Sequence, residues 1–278
     1  MSNVKLVQNP STSYMLERDI GKIPALECVH LGIQFGGLHA VDDFNIAIGP
    51  TEIAGLIGPN GAGKTTVFNL LTKVYEPTIG TTLLNGTDTK GMTVPQVSHA
   101  GVARTFQNIR LFKNMSVIDN IRVGMNSSIK CSFADSIFRL PRYKKSEIES
   151  YEKGIELLSI FGMQDHASDV AGSLPYGAQR KLEILRALAT NPRILLLDEP
   201  AAGMNPAETS ELLDDIRKIR EDFQIAIFLI EHDMNLVMNV CEGICVLSFG
   251  KIIAKGTPYE IQNNPDVIEA YLGKQEEK

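Results

Sequence analysis

The sequence predicts an α/β fold in which a mostly parallel sheet carries a phosphate-binding loop. The first observation is the loop, GPNGAGKTT at 58–66, which lies between an apolar run at 53–57 and an apolar-periodic segment from Val67. The second is a pair of continuous apolar runs, 194–197 and 225–230, of the kind found in buried parallel strands. The third is that charged residues follow each of these two runs directly, where open α/β sheets place ligands.

The loop has the residue types that a phosphate cradle requires. Gly58, Gly61 and Gly63 permit backbone conformations closed to other residues, so that successive N–H groups converge on one anion. A helix beginning near Lys64 adds the positive end of its dipole. The Lys64 ammonium can reach the β- and γ-phosphates, and the Thr65 hydroxyl can ligate Mg²⁺. A glycine-rich turn without a ligand is disfavoured, because strand and helix patterns flank the loop. The predicted nucleotide contacts here are Gly58, Pro59, Asn60, Gly61, Ala62, Gly63, Lys64, Thr65 and Thr66.

Length and composition describe an ordinary globular chain. Its 278 residues are 44% hydrophobic and 22% charged, enough for one large domain or two small ones with a sizeable core. No apolar run approaches the ~20 residues that cross a bilayer, and residues 1–24 lack the pattern of a secretory signal. We therefore expect a cytoplasmic protein. The net charge of −6, without a basic stripe, argues against nucleic acid as the primary partner.

The four cysteines do not follow a metal-binding or disulfide pattern. They have no C-x-x-C spacing and no clustered histidines beside them, and two of them lie at or in an apolar run. We expect buried free thiols. The residues concerned are Cys28, Cys131, Cys241 and Cys245.

The chain before the phosphate loop predicts two strands after a loose start. Residues 1–24 show no sustained period and are expected to form a loosely held extension. Residues 25–35 and 41–48 then predict strands joined by a glycine turn. Phe35 ends the first of them, where its ring could stack on a purine base. A hairpin residue with no ligand is the alternative interpretation.

The segment after the loop continues the strand and helix pattern. We predict a strand at 81–84 with a turn at Asn85-Gly86, a short helix at 93–100 and a strand at 102–106. Gln107 follows this last strand directly, and its amide could coordinate Mg²⁺ or the attacking water. A surface glutamine without a role is the alternative.

Residues 108–190 have a helical pattern. Apolar residues from Val117 predict one helix, and residues 146–163 predict another, with Ser146 and Glu149 as a capping box. SLPYGAQ at 173–179 opens a third helix. Four basic residues between the first two helices form either a solvated face or a contact for anionic lipid headgroups. They are Arg139, Arg142, Lys144 and Lys145.

Carboxylates and a histidine follow the buried strands of the C-terminal part. Asp198 and Glu199 come directly after 194–197, where adjacent carboxylates are costly unless they hold a cation or perform chemistry. Asp198 can hold Mg²⁺ through water, and Glu199 can polarise a water aimed at the γ-phosphorus. A helix is predicted at 208–221. His232 follows 225–230 and becomes a candidate to contact the γ-phosphate, although a lone histidine is usually structural.

In order and spacing, these motifs resemble those of the nucleotide-binding subunits of ATP-binding cassette (ABC) transporters. The match covers residues 25 to about 255 and includes the phosphate loop, Gln107, SLPYGAQRKLEILRAL, ILLLDEP and IEH. The resemblance implies a RecA-like P-loop NTPase core with an antiparallel β subdomain and a helical signature subdomain at about 108–190.

The same resemblance implies roles for individual residues. Phe35 becomes the aromatic that stacks on adenine, and Gln107 senses Mg²⁺ and the membrane subunits. Asp198 becomes the Mg²⁺-linked acid, Glu199 the catalytic carboxylate and His232 the switch histidine. Two such subunits pair head to tail, and each signature segment closes the ATP site of its partner. The signature contacts are Leu174, Tyr176, Gly177 and Gln179.

A narrower resemblance is to the ATPase subunits of branched-chain amino acid importers. It depends on FGGLHAV, LPYGAQRKLEI, DEPAAGMNP, IEHDM and above all the ending GTPYEIQNNPDVIEAYLG, within a C-terminal tail at 256–278. The insertion FRLPRYKK looks more like the longer of the two ATPase subunits of such importers. Parts of this ending also occur in urea or amide importers and in the lipopolysaccharide-export ATPase, which remain alternatives. Two further alternatives are a soluble ABC ATPase of translation or DNA repair and a non-hydrolysing regulatory cassette.

This resemblance implies ATP and Mg²⁺ as cofactors and a peripheral position at the cytoplasmic face of the inner membrane. The implied partners are membrane permeases, a second ATPase subunit, identical or different, and indirectly a periplasmic or extracellular substrate-binding protein. The sequence departs from the family in two places. The usual LSGGQ signature is replaced by LPYGA, in which Pro175 has neither a hydroxyl nor a backbone N–H. Asn205 stands where many relatives have aspartate.

Overall fold

The structure is a computed structural model that describes residues 5–8, 14–125, 138 and 140–272. The chain forms two compact units, the first from Met1–Arg104 and Arg193–Lys278 and the second from Thr105–Pro192. The strands are β1 (Leu6–Gln8), β2 (Tyr14–Leu16), β3 (Leu26–Phe35), β4 (Leu38–Ile48), β5 (Ile53–Ile57), β6 (Ile79–Leu84), β7 (Thr87–Asp88), β8 (Val102–Arg104), β9 (Ile194–Asp198), β10 (Ala226–Ile230), β11 (Gly243–Ser248) and β12 (Lys251–Gly256). The helices are α1 (Lys64–Leu71), α2 (Val94–His99), α3 (Val117–Met125), α4 (Pro141–Ile160), α5 (Tyr176–Leu188), α6 (Pro206–Phe223), α7 (Met234–Val240), α8 (Pro258–Gln262) and α9 (Pro265–Leu272).

A six-stranded sheet in the order β12-β11-β5-β10-β9-β8 forms the centre of the first unit. All neighbours pair in parallel except β12, which is an antiparallel edge strand. Every residue of β5, β9 and β10 is buried, which is why these strands, apart from Asp198 at the end of β9, are continuous apolar runs. The predicted α/β fold class is confirmed.

The first unit also contains an antiparallel sheet in the order β4-β3-β6-β7, as the family resemblance implied. Its apolar face joins the core of the parallel sheet, where Phe44, Phe68 and Phe228 are fully buried. Asn85 and Gly86 form the predicted two-residue turn, with φ of 47° and 75°, the left-handed backbone that tight hairpins require. Strand β4 begins at Leu38 rather than Val41, because Gly36 and Gly37 alone make the turn after β3.

The described part of the N-terminal segment, residues 5–8 and 14–24, is packed, which corrects the predicted loosely held extension for these residues. Strands β1 and β2 pair antiparallel, and Met15 and Leu16 are buried. The Arg18 guanidinium donates two hydrogen bonds to the Glu242 carboxylate, at 2.6 and 2.7 Å. Burial of apolar side chains and this bidentate pair hold residues 5–8 and 14–24. Residues 1–4 and 9–13 lie outside the described part of the chain.

A buried carboxyl group, Glu52, lies close to this N-terminal segment. Its Oε2 accepts a hydrogen bond from the Gly49 N–H at 2.9 Å. Burial raises the pKa of Glu52 to about 8; the Gly49 N–H and Arg18 lower it, and Glu242 and Asp19 raise it further. The folded protein therefore keeps this group protonated at pH values where the unfolded chain, with an ordinary pKa of 4.5, has lost the proton.

The raised pKa of Glu52 predicts that the stability of the protein depends on pH. Between pH 4.5 and about 8 the folded state binds the Glu52 proton and the unfolded state does not, so the free energy of unfolding falls as pH rises. Glu52→Gln keeps an acceptor for Gly49 and has no such titration. We expect chemical unfolding at pH 6 and pH 8.5 to show that the free energy of unfolding of the wild type falls, relative to that of the variant, as the pH rises. A difference independent of pH would contradict this.

The second unit contains helices α3, α4 and α5. Helix α4 begins at Pro141, not at Ser146, because proline suits the first helical position with Leu140 as N-cap, and it ends at Ile160 rather than residue 163. Ser146 and Glu149 therefore lie inside the helix, and the predicted capping box is wrong.

Arg122 of α3 pairs with Glu147 of α4 at 2.5 Å. Of the basic cluster, Arg142, Lys144 and Lys145 are exposed and Arg139 lies outside the described residues.

Three of the four cysteines confirm the expected free thiols. Cys28, Cys241 and Cys245 are unpaired and buried, while Cys131 lies outside the described residues. Burial raises the pKa of Cys28 and Cys245 to about 12. Within the described ranges, no group of three or more His, Cys, Asp and Glu side chains is arranged to hold a metal ion, and no helix is long and apolar enough to cross a membrane.

Candidate functional site

The phosphate loop is fixed where two neighbouring strands leave no room for side chains. A Cβ on Gly58, where φ is 151°, would lie 2.0 Å from the carbonyl oxygen of Leu247. A Cβ on Gly63, where φ is 106°, would lie 2.6 Å from the carbonyl oxygen of Ala40. Only glycine fits at either position, so β11 and β4 set the path of the loop into helix α1.

Lys64, the first residue of α1, is buried and directed back into the loop. Its Nζ donates to the carbonyl oxygens of Gly58 at 2.7 Å and Pro59 at 3.0 Å. Burial lowers the pKa of Lys64, and the negative charges of Glu199 and Asp198 raise it. The structure thus brings the lysine near both carboxylates that the sequence predicted for one site. Thr65 is exposed in the first turn of α1, and Thr66 is half-buried.

Asp198 is paired with an arginine that the sequence analysis missed. The Nη2 of Arg104 donates to Oδ2 of Asp198 at 2.8 Å, and both side chains are buried. The Nη1 of Arg104 donates to Oδ1 of Asn69 on α1, at 2.8 Å. This arginine therefore joins the ends of β8 and β9 to the helix that begins at Lys64. A basic residue ending a short apolar strand was the available signal.

Glu199 has an unusual backbone conformation. Its φ is 47°, in the left-handed region that residues with a Cβ seldom adopt. The Glu199 N–H donates to the carbonyl oxygen of Ile230 at 2.9 Å, and the Ala202 N–H donates to the carbonyl oxygen of Glu199 at 3.1 Å. These bonds hold a conformation that costs energy, and such strain concentrates at functional sites.

His232 and Glu231 lie beside Glu199. The Nδ1 of His232 is 4.0 Å from Oε2 of Glu199 and 3.8 Å from Oε2 of Glu231. The His232 side chain is 62% exposed, whereas that of Glu231 is buried. Burial raises the pKa of Glu231, and the N–H groups of Ala201 and His232 lower it. Glu231 had no predicted role, although it too directly follows a buried strand.

Phe35 lies on the hairpin that contacts the loop. It pairs with Leu38 in the β3–β4 register, and Ala40 further along β4 lies against Gly63. The Phe35 side chain is 47% exposed, and its ring is 5.3 Å from that of Tyr75. The hairpin that carries this accessible aromatic ring thus also contacts Gly63, the N-cap of α1.

Gln107 belongs to the second unit. Strand β8 ends at Arg104, so the prediction that Gln107 directly follows the strand is wrong. The carbonyl oxygens of Phe106 and Gln107 accept hydrogen bonds from the Arg180 guanidinium, at 2.6 and 2.7 Å. Arg180 is fully buried and also pairs with Glu183 at 2.9 Å. This arginine, which the sequence analysis did not single out, joins the Gln107 segment to helix α5.

The signature segment, residues 174–179, forms the start of α5. Pro175 is the N-cap, and its carbonyl oxygen accepts from the Gln179 N–H at 2.9 Å. The Gln179 side chain donates to the carbonyl oxygen of Leu174 at 2.8 Å. Tyr176 is exposed and Gly177 is buried. The first turn thus presents backbone N–H groups at the positive end of a helix dipole, even without the serine of the usual motif.

Asn205, the other departure from the family pattern, caps helix α6. Its Oδ1 accepts from the N–H groups of Ala207 at 2.9 Å and Glu208 at 3.0 Å. The Glu208 carboxylate accepts from the Asn205 N–H at 2.9 Å, which completes a capping box. Asparagine performs this capping as well as aspartate does.

Comparison with known proteins gives matches along most of the chain. The family model described as ABC transporter matches residues 41–202, and that described as Branched-chain amino acid ATP-binding cassette transporter matches residues 251–277. The chain is 46% identical over 251 residues to the high-affinity branched-chain amino acid transport ATP-binding protein LivG of Escherichia coli strain K12, covering 90% of this chain and 98% of the relative. It is 45% identical, with the same coverage, to the high-affinity branched-chain amino acid transport ATP-binding protein BraF of Pseudomonas aeruginosa.

Solved structures agree with these matches. The crystal structure of the ADP conformation of an ATP-binding cassette of an ABC transporter superposes with a TM-score of 0.78 at 29% identity, covering 90% of this chain and 99% of the other. A nucleotide-free ATP-binding cassette from an ABC transporter gives 0.76 at 29% identity, covering 90% and 100%. The resemblance inferred from the motifs is confirmed: the chain belongs to the ABC transporter family, as one of its ATP-binding cassettes.

Proposed function

We propose that this chain binds and hydrolyses ATP as the nucleotide-binding subunit of an importer for branched-chain amino acids. The observation that supports the chemistry best is the position of Lys64, buried in the loop and close to the charges of Glu199 and Asp198. Support for the cargo comes from the C-terminal family match and from the printed functions of the two relatives.

In this proposal the described residues of the first unit divide the work on ATP. The loop N–H groups and Lys64 bind the phosphates, and Phe35 stacks on adenine. Glu199, held in its strained conformation, orients and polarises the attacking water. His232 lies beside Glu199 and is exposed, so it can contact the γ-phosphate. Catalysis of this kind depends mainly on positioning and on stabilising negative charge.

Magnesium fits the oxygen donors near the loop. Mg²⁺ prefers oxygen ligands and usually binds through one or two protein groups together with phosphates and water. Thr65 and Asp198 would hold it, and the amide role predicted for Gln107 stays a prediction. The ion would neutralise charge on the phosphates.

The proposal places the chain on the cytoplasmic face of the inner membrane as a peripheral subunit. A second ATPase, identical or different, would pair with it head to tail, so that the N–H groups at the start of α5 contact the partner's nucleotide. Closure with ATP and opening after hydrolysis would then drive the permeases, because only the triphosphate favours the closed pair. A periplasmic or extracellular binding protein would deliver the cargo.

Uptake by a reconstituted transporter tests this function. The complex that co-purifies with the tagged full chain is inserted in liposomes with ATP inside, and uptake of labelled leucine is compared with that of labelled urea. We expect ATP-dependent uptake of leucine and none of urea. Urea uptake, or recovery of the chain with ribosomes or DNA instead of permeases, would contradict the proposal. Leucine uptake without ATP turnover by this chain would indicate a regulatory cassette.

A further inference from the structure

Tyr75 is an aromatic residue beside Phe35 to which the proposed function gives no role. The two ring centroids are 5.3 Å apart and the ring planes meet at 75°, an edge-to-face arrangement. Both side chains remain accessible, Phe35 at 47% and Tyr75 at 37%. Aromatic pairs of this geometry attract each other beyond the area that they bury, because the positive edge of one ring faces the negative face of the other.

The backbone around Tyr75 is fixed to both neighbouring elements. The N–H groups of Val74 and Tyr75 both donate to the carbonyl oxygen of Asn69 in α1, at 2.9 and 3.1 Å. Thr78 makes two hydrogen bonds with β3. Its N–H donates to the carbonyl oxygen of Gly32 at 2.8 Å, and its Oγ1 accepts from the Gln34 N–H at 3.2 Å. The segment that carries Tyr75 is therefore hydrogen-bonded both to α1 and to the strand that ends in Phe35.

The same two elements hold the phosphate loop. Helix α1 begins at Lys64, and the β3–β4 hairpin that carries Phe35 contacts Gly63 through Ala40. Tyr75 thus lies just beyond the far end of α1, whose first residue is proposed to bind phosphate, and against the ring proposed to bind the base. A half-exposed phenylalanine with no packed neighbour would lose rotamer freedom on stacking, and this loss would weaken binding.

We propose that Tyr75 is a positioning residue that holds the Phe35 ring ready for the nucleobase. The inference rests on the proposed ATP site and adds a residue to it. Tyr75 acts through Phe35, so its contribution appears only for ligands that contain a base, and it vanishes when the Phe35 ring is removed. The phenol oxygen is not required, because the edge-to-face contact needs only the ring.

Binding of Mg·ADP and Mg·pyrophosphate to the purified full chain, measured by calorimetry, tests this role. The variants are Phe35→Leu, Tyr75→Leu, the double variant and Tyr75→Phe. Tyr259→Leu, the same change at an exposed tyrosine on α8, is the matched control. Thermal unfolding of each variant reports any general loss of structure.

We expect Phe35→Leu and Tyr75→Leu each to weaken ADP binding by about threefold to tenfold, in line with the energy of one aromatic contact. The double variant is expected to match Phe35→Leu, while Tyr75→Phe, the control and all pyrophosphate affinities stay within about twofold of wild type. Wild-type ADP affinity in Tyr75→Leu, with a loss in Phe35→Leu, would overturn the inference and leave the proposed function intact. A loss of ADP affinity in the double variant equal to the product of the two single losses would also overturn it. Wild-type ADP affinity in both Phe35→Leu and Tyr75→Leu would contradict the proposed base-binding role of Phe35 itself.

Discussion

Glu199→Gln is expected to bind Mg·ATP with nearly wild-type affinity and to lose about 100-fold to 10,000-fold of its ATP turnover, the range for removal of a general base. The amide has the size of the carboxylate but cannot accept a proton from the attacking water. The unusual backbone should persist, because Gln224 in the same chain adopts a φ of 51°, close to the 47° of Glu199. Phosphate release by the reconstituted transporter and ATP binding by the isolated chain measure the two effects separately.

The matched control for this variant is Glu211→Gln, the same chemical change at an exposed position of α6. It is expected to retain both binding and turnover. Wild-type turnover in Glu199→Gln would overturn the role proposed for that carboxylate. Loss of ATP binding in Glu199→Gln would also contradict it, since the proposal gives Glu199 a role in the reaction and none in affinity.

The second large effect is expected at Lys64. Lys64→Met keeps most of the aliphatic stem and removes the ammonium, which donates to two loop carbonyl oxygens and is proposed to bind the β- and γ-phosphates. Charge-assisted hydrogen bonds contribute about 1.5–3 kcal/mol each, so the loss of two predicts at least a 100-fold weaker affinity for Mg·ATP. Equilibrium dialysis or calorimetry on the isolated chain measures it.

Adenosine binding separates the phosphate contribution from damage to the rest of the site. Lys64→Met is expected to leave the weak affinity for adenosine unchanged, because Phe35 and the base contacts are intact. The thermal unfolding midpoint is expected to remain near that of the wild type. Wild-type affinity for Mg·ATP in Lys64→Met would contradict the proposed cradle, however closely the loop follows the motif.

Local patterns in the sequence were sufficient to predict the centre of the fold. Apart from Asp198 at the end of β9, strands β5, β9 and β10 are continuous apolar runs because both of their faces are buried, and a pattern of this kind is visible without any knowledge of the neighbouring strands. The phosphate loop was equally readable, since steric exclusion at Gly58 and Gly63 requires glycine at fixed spacing. The order of the motifs then indicated the family, which the comparisons confirm.

Contacts between distant residues could not be predicted in this way. Two ion pairs join segments far apart in the chain, and no local periodicity predicts them. They are Arg104 with Asp198 and Arg18 with Glu242. The early start of α4 depended on a proline that also suits a loop. The N-terminal strands are too short for a pattern, and only burial of Met15 and Leu16 reveals that they are packed. The roles given to the individual site residues remain predictions.

In the proposed function, Lys64 and Glu199 act on one and the same Mg·ATP. A crystal structure of the Glu199→Gln chain with Mg·ATP would show whether they do, since that variant is expected to trap the unreacted nucleotide. We expect the Lys64 ammonium to lie within hydrogen-bond distance of the β- and γ-phosphates and the side chain of residue 199 to face the γ-phosphate. A triphosphate bound without contact to Lys64, or with residue 199 directed away from it, would be incompatible with the proposed function.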